Sequence, residues 1–328
     1  MKVLVPLLFC FLVFSGMAQE RKYVTVKRTV KLMGAPFDIT VVAPNEELGY
    51  INIEEAIAEI SRIEKKISSW QPDSETSLIN ANAGIKPVKV SYEVFKLIER
   101  SIKISELTDG AFDISFASLD QVWKFDGTMQ YKPSAADIKK SILKVGYGNI
   151  ILDEEALTVF LKLKGMKISF EAIGIGYAVD KAKELLVSRQ VVGGVINASG
   201  DLTTWGTKVS GEKWLLGIAN PLNKGKIFTW MPILESSVAT SGNLDQFVEF
   251  KGEKFSHIID PRTGYPSKGV STVHVFAKSA ELCDALATAI FVLGKEAGLA
   301  LVNQLPLTEV ILVDSQNKMY KSHGILFD

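Results

Sequence analysis

Cysteine is nearly absent from this chain, with two residues in 328, Cys10 and Cys283. Cys10 lies inside an apolar N-terminal run, so the rest of the chain holds a single thiol. That excludes an internal structural disulfide and a cysteine-rich metal site. Charge of one sign is missing too. Lys plus Arg and Asp plus Glu each number 37, which leaves no electrostatic footprint for nucleic acid and turns attention to a small molecule or another protein as partner. No second long hydrophobic run follows the first, so no transmembrane segment is expected once a leader is removed. Neither G-x-x-x-x-G-K-[ST] nor G-x-G-x-x-G occurs around the glycines of "VVGGVINASGDLTTWG", which argues against a P-loop or a Rossmann dinucleotide site. Nor does an internal repeat, low-complexity linker or charge block mark a domain boundary.

What is present begins with "MKVLVPLLFCFLVFSGMA": a lysine, an apolar stretch, then Gly16 and Ala18 at the −3 and −1 positions of a cleavage before Gln19. Residues 1–18 are expected to be a signal peptide and 19–328 one domain, exported to the periplasm or the outer face of the cytoplasmic membrane. Cys10 follows bulky Phe9 and the apolar run continues past it, which argues against a lipid anchor there. Hydrophobic residues make up 47% of the chain, enough for a sizeable core.

Residues 24–30 and 37–43 read as two strands joined by a hairpin connection. "INIEEAIAEISRIEKKISSW" (51–70) places isoleucines and alanines at helical spacing, an amphipathic helix packing one face on a sheet. Further helices are expected at 91–108 from an N-cap at Ser91, at 134–146 closed by Gly146, at 177–189 and at 281–293. Strand-like runs fall at 157–163, 191–197, 214–220, 271–277 and 308–313. Adjacent strands and irregular order favour a mixed α+β architecture over a doubly wound parallel sheet.

Several segments hold chemistry. In "ELCDALATAIFVLG", Asp284 and Thr288 share one helix face, and two hard oxygens at that spacing suit Mg²⁺, though such a pair on a helix is more often a near-terminal cap and a core-packed threonine. Gly193, Gly194 and Gly200, with Asn197, Ser199 and Asp201 beside them, allow close ligand approach or merely a tight strand-turn-strand. Gly174 and Gly176 in "SFEAIGIGYAVD" aim a helix N-terminus beyond a strand, where an anion could bind or helices could pack. Of three histidines, His274 inside a strand and His323 near the C-terminus read as structural. His257 precedes the turn formers "DPRTGYP", which would hold its imidazole on a rigid support.

Taken in order, "KLMGAPFDITV", "SSWQPDSETSLINAN", "TDGAFDISFASLDQVW", "AIGIGYAVDKA", "VINASGDL", "FSHIIDPRTGYP" and "DALATAIFVLG" resemble the FAD:protein FMN transferases, the ApbE family, over about residues 29–327. The resemblance implies one α+β domain with largely antiparallel sheets and flanking helices, T-fold-like. It implies an enzyme that takes FAD as substrate with Mg²⁺ and moves FMN to a threonine hydroxyl of an acceptor redox protein bearing a flavinylation motif, releasing AMP. It places Met33, Trp70, Ala111, Phe112, Asp113, Ser169, Ile175 and Ile258 around the FAD, with Trp70 where many members have tyrosine. The Ala172 carbonyl, Asp284 and Thr288 match the metal ligands. His257 and Asp284 are then the expected catalytic residues, the imidazole taking the hydroxyl proton.

The chain departs from the family pattern at Glu171, where many members have glycine, and at Ile175, where many have lysine. A carboxylate gained and a cation lost weaken anion binding. Two alternatives therefore stand beside the transferase: an FAD-binding protein that has lost transfer, and an FAD pyrophosphatase releasing FMN and AMP to water. Glu171 is expected to lie near enough to Mg²⁺ to hold it more firmly and offset the missing cation.

Overall fold

A computed structural model describes residues 22–119, 122–219, 227–242, 247–250 and 252–325; the leader with Cys10 and Gln19 lies outside them. Strands β1 (Val24–Leu32) and β2 (Ala35–Ala43) pair antiparallel through Met33-Gly34, both at positive φ (49° and 79°). That two-residue turn matches the right-handed twist of the flanking strands. Helix α1 (Glu46–Ile67) starts five residues before the expected position, because Asn45 caps it and its Oδ1 accepts the Leu48 N–H at 2.9 Å. Ile53, Ile60 and Ile63 on its inner face are fully buried, about 1.5–3 kcal/mol of stabilisation each.

Next come α2 (Glu75–Ala81), β3 (Val88–Lys89), α3 (Tyr92–Leu107, capped by Ser91 as expected), a 3₁₀ turn at Ile114–Ser118, and α4 (Ala135–Ser141). The last ends well short of Gly146, whose φ of 143° opens a second 3₁₀ turn instead of closing the helix. β4 (Ile150–Asp153) and β3 flank β5 (Thr158–Leu161), each pairing with it antiparallel in a small sheet. Then α5 (Gly174–Ser188), β6 (Gly193–Ala198), β7 (Asp201–Trp205), β8 (Trp214–Ala219), β9 (Ile227–Ile233), β10 (Ser237–Gly242), β11 (Phe247–Phe250) and β12 (Glu253–Ser256) follow. The chain continues through β13 (Val270–Ala277), α6 (Ala280–Leu293), α7 (Lys295–Val302), β14 (Glu309–Asp314) and β15 (Met319–Lys321).

Eight strands make the main sheet in the order β1-β2-β6-β7-β10-β13-β14-β15, every neighbouring pair antiparallel. Helices α1, α5 and α6 lie side by side across one face. The fold is therefore a mixed α+β domain with antiparallel sheets and flanking helices. The glycines of β6 turn out to serve packing: a Cβ on Gly194 would sit 2.4 Å from the Trp205 ring and 2.6 Å from the Thr40 carbonyl oxygen. The β6–β7 segment is a tight hairpin, with Asn197 Oδ1 accepting the Gly200 N–H at 3.1 Å.

Candidate active site

A cavity of about 840 Å³ opens where the α1–α2 loop, the 111–119 segment, residues 167–172, the ends of β7 and β10, the turn after β12 and helix α6 converge. Its volume falls in the usual range for a small-molecule site. Trp70 lines it while 82% exposed, an indole left available to stack on a flat ligand.

Helices α5 and α6 hold each other's first turns. Asp180 on α5 accepts the Ser279 hydroxyl at 2.8 Å and the N–H groups of Ala280 and Glu281 at 2.9 and 3.0 Å, so it caps α6 from outside. In return, Asp284 on α6 accepts the Gly176 N–H at 3.1 Å, and α5 has no side-chain cap of its own. The helices meet so closely that a Cβ on Gly176 would fall 2.2 Å from the Ala280 carbonyl oxygen and 2.9 Å from the Asp284 Cβ. The Gly174/Gly176 turn therefore presents packing and one N–H to Asp284.

Asp284 is buried, and no Lys or Arg pairs with it among the described residues. Burial first, and the Asp201 carboxylate second, push its carboxyl well above the ordinary range. Asp201, also by burial, is pushed up to about 7, against the pull of the Thr240 N–H it accepts at 3.2 Å. One turn along α6, the Thr288 hydroxyl lies 3.2 Å from that of Ser241, and Ala172 lines the same cavity. No cluster of three or more His, Cys, Asp or Glu exists among the described residues. Two carboxylates without a cation, a hydroxyl and a nearby carbonyl are hard oxygen donors, and this set fits Mg²⁺.

The histidine stretch is held as its turn formers predict. The Asp260 carbonyl accepts the N–H groups of Thr263 and Gly264 at 3.2 and 2.8 Å, and its carboxylate grips the Arg262 guanidinium through two 2.9 Å bonds. Trp123 Nε1 donates to the Gly264 carbonyl at 3.0 Å, and Gly264 has φ 73° with Ile138 and Ile142 packed where a side chain would go. His257 and Ile258 line the cavity beside this turn, the imidazole edge-on to Phe125 with ring centroids 6.4 Å apart.

Opposite, residues 167–169 belong to no helix or strand, and side chains supply most of their pairing. The Asn80 amide takes both main-chain groups of Ile168, accepting its N–H at 2.8 Å and donating to its carbonyl at 2.9 Å. The Ser118 hydroxyl does the same for Lys167 at 2.7 and 2.8 Å. Ser169 donates its N–H to the Ile114 carbonyl at 2.9 Å. Asp113 caps the adjoining 3₁₀ turn through Ser115 N–H at 2.8 Å and accepts the Tyr147 N–H at 2.7 Å, while burial raises its carboxyl above the usual range.

Of the residues expected from the sequence, Trp70, Ala111, Phe112, Asp113, Ser169, Ala172, His257, Ile258, Asp284 and Thr288 all line this one cavity, and so does Glu171. Met33 and Ile175 stand outside the lining: Met33 occupies the β1–β2 turn, and both pack on the main core. Asn80, Ser118 and Asp180 carry no sequence signal for their roles, since each acts on main-chain groups distant in the chain. Asp201 was legible only as a polar residue beside glycines; its approach to Asp284 requires the folded sheet.

The model of the ApbE family matches residues 33–312. The chain is 31% identical over 284 residues to an FAD:protein FMN transferase of Klebsiella pneumoniae, covering 86% of this chain and 87% of the relative. It is 28% identical over 329 residues to one of Treponema pallidum, covering 95% and 90%. Among solved structures, the ApbE protein of Thermotoga maritima superposes with a TM-score of 0.83 at 28% identity, covering 92% of this chain and 97% of that one. The apo flavinyl transferase ApbE of Pseudomonas stutzeri superposes with a TM-score of 0.80 at 26% identity, covering 92% and 95%.

Proposed function

We propose, from the premise that this chain belongs to the ApbE family, that it is an exported, Mg²⁺-dependent FAD:protein FMN transferase acting on a threonine of an acceptor redox protein. The observation that carries the reading is the convergence of an exposed indole, a hard-oxygen donor set and a turn-mounted imidazole on one cavity. Asp284, Thr288 and the Ala172 carbonyl would hold Mg²⁺, which supplies charge neutralisation on the FAD pyrophosphate. Trp70 stacks on the isoalloxazine, and Ala111, Phe112 and Asp113 shape the wall beside it. His257 receives the threonine hydroxyl proton as that oxygen bonds to the FMN-side phosphorus and the bond to AMP breaks. The turn from Asp260 to Gly264 limits the motion of the imidazole during that transfer. Export rests on the leader-like residues 1–18.

The test mixes purified protein with FAD, Mg²⁺ and an acceptor carrying the threonine motif, and reads covalent flavin by in-gel fluorescence. Fluorescence on the acceptor is the expected result. Free FMN and AMP without labelled acceptor would make the protein a pyrophosphatase, and unchanged bound FAD would make it a flavin binder.

A further inference from the structure

Among the described residues, four acidic ones, Asp113, Glu171, Asp201 and Asp284, line the cavity, together with a single Lys or Arg, Lys167. Its substrate on the reading above is itself an anion, so attraction has to come from somewhere on the wall. A dication held at Asp284 with Glu171 near it carries two charges against the three carboxylates of Asp284, Asp201 and Glu171, and leaves Asp113 beside them. The Lys167 ammonium has no hydrogen-bond or ion-pair partner among the described residues, although Glu171 lines the same cavity. Its main chain, by contrast, is fixed. The buried Ser118 hydroxyl bonds both its N–H and its carbonyl, and Asn80 does the same for the next residue. A cation free at its tip and fixed at its base loses only side-chain entropy on meeting a ligand.

We propose that Lys167 is the anion-binding residue of this cavity, its ammonium donating to a phosphate oxygen of the FAD pyrophosphate. The proposal rests on the transferase reading for the identity of the ligand. Ser118 and Asn80 are positioning residues for it, acting through the main chain of 167–168. The exposed stem of Lys167 is not needed for packing, so its replacement leaves the fold intact.

The test titrates FAD, FMN and riboflavin into native protein, Lys167→Met and Lys167→Arg with metal chelated, following flavin fluorescence. Losing one charge-assisted hydrogen bond weakens FAD binding to Lys167→Met by about tenfold. Riboflavin, which has no phosphate, binds all three equally, and Lys167→Arg keeps FAD within about threefold of native because it keeps the charge. Added salt narrows the gap between native and Lys167→Met. Equal weakening of riboflavin would show that the residue packs on the ring and overturn the proposal. Unchanged FAD affinity in Lys167→Met would also overturn it, as would a variant whose sole defect is a raised KM for the acceptor. If native protein binds no FAD in chelator, the same titration is repeated with Mg²⁺ present, and no FAD binding there overturns the transferase reading and this proposal with it; if native binds and Lys167→Met matches it, only the role of Lys167 falls.

Discussion

Gly176→Ala inserts one methyl at the contact that joins α5 to α6, and its consequences follow from distances. The new Cβ would lie 2.2 Å from the Ala280 carbonyl oxygen, a backbone atom on the first turn of α6 that has no rotamer to move into. About 1 Å of separation between the helices restores even a close contact. Both capping bonds span the same gap: Asp180 to the first turn of α6, and Asp284 to the Gly176 N–H. Overpacking of this kind costs about 3 kcal/mol, which lowers the melting temperature by about 5–10 °C. Because the displaced helix carries Asp284 and Thr288, a misplacement near 1 Å at the reacting centre reduces turnover about 100-fold. Flavinylation rate and thermal unfolding are measured on the same preparation, beside Gly174→Ala. At Gly174 the nearest atom is the Ile67 Cδ1 at 3.0 Å, the end of a flexible side chain, and the effect should be smaller. If Gly176→Ala melts within a degree of native and transfers FMN at the native rate, the helices are not interlocked as described.

Replacing His257 by alanine is expected to lower kcat about 100-fold with FAD affinity unchanged, and parallel loss of both would return the ring to a structural role. Glu171→Gly should raise the Mg²⁺ concentration needed for half-maximal activity; an unchanged requirement would dismiss its part in holding the metal. Burial pushes His274 down to about 4 from an ordinary 6.5, with Nδ1 2.9 Å from the Thr240 hydroxyl. The unfolded chain therefore binds the extra proton first. Stability is retained above pH 6.5 and falls by about 3 kcal/mol as pH drops to 4, and a His274→Gln variant should show a flatter melting profile across that window. The exported form should have the intact mass of a chain starting at Gln19, and a mass fitting a lipidated Cys10 would refute that cleavage.

Elements with one strong face were legible. The isoleucines of α1, the Ser91 cap of α3 and the apolar α6 all read correctly because burial enforces a 3.6-residue period over several turns. The first turn of α1 was not, because its buried residue is Gly49, whose missing side chain makes room for Val26 and gives no hydrophobic signal. β10 reads as Ser-Val-Ala-Thr-Ser-Gly, small and polar, and gives no strong hydrophobic signal although Val238 and Ala239 are buried and Ser241 meets the Thr288 hydroxyl of α6 at 3.2 Å. At seven residues, α2 is too short for any period to accumulate, yet it delivers Asn80 to the cavity wall.

The site divides differently. Residues whose type suits a proposed role stood out, and the structure brings them to one cavity: an isolated histidine before a turn, and a carboxylate and hydroxyl one helical turn apart. Residues that act by position could not stand out, since Asp180, Asn80 and Ser118 are ordinary cap and turn formers until their partners, as many as 101 residues away, are folded beside them. The two departures from the family pattern also separate once folded. Ile175 packs on the core outside the cavity lining, so that position now contributes packing, whereas Glu171 lines the cavity and adds a negative charge. A loss of cation and a gain of anion that look like one defect along the chain are two unequal changes in space. Only the second raises the electrostatic cost of a bound pyrophosphate directly, by coulombic repulsion that an ammonium on the same wall can offset. That is why the charge of Lys167, rather than the missing lysine at 175, decides how tightly this cavity holds an anionic flavin.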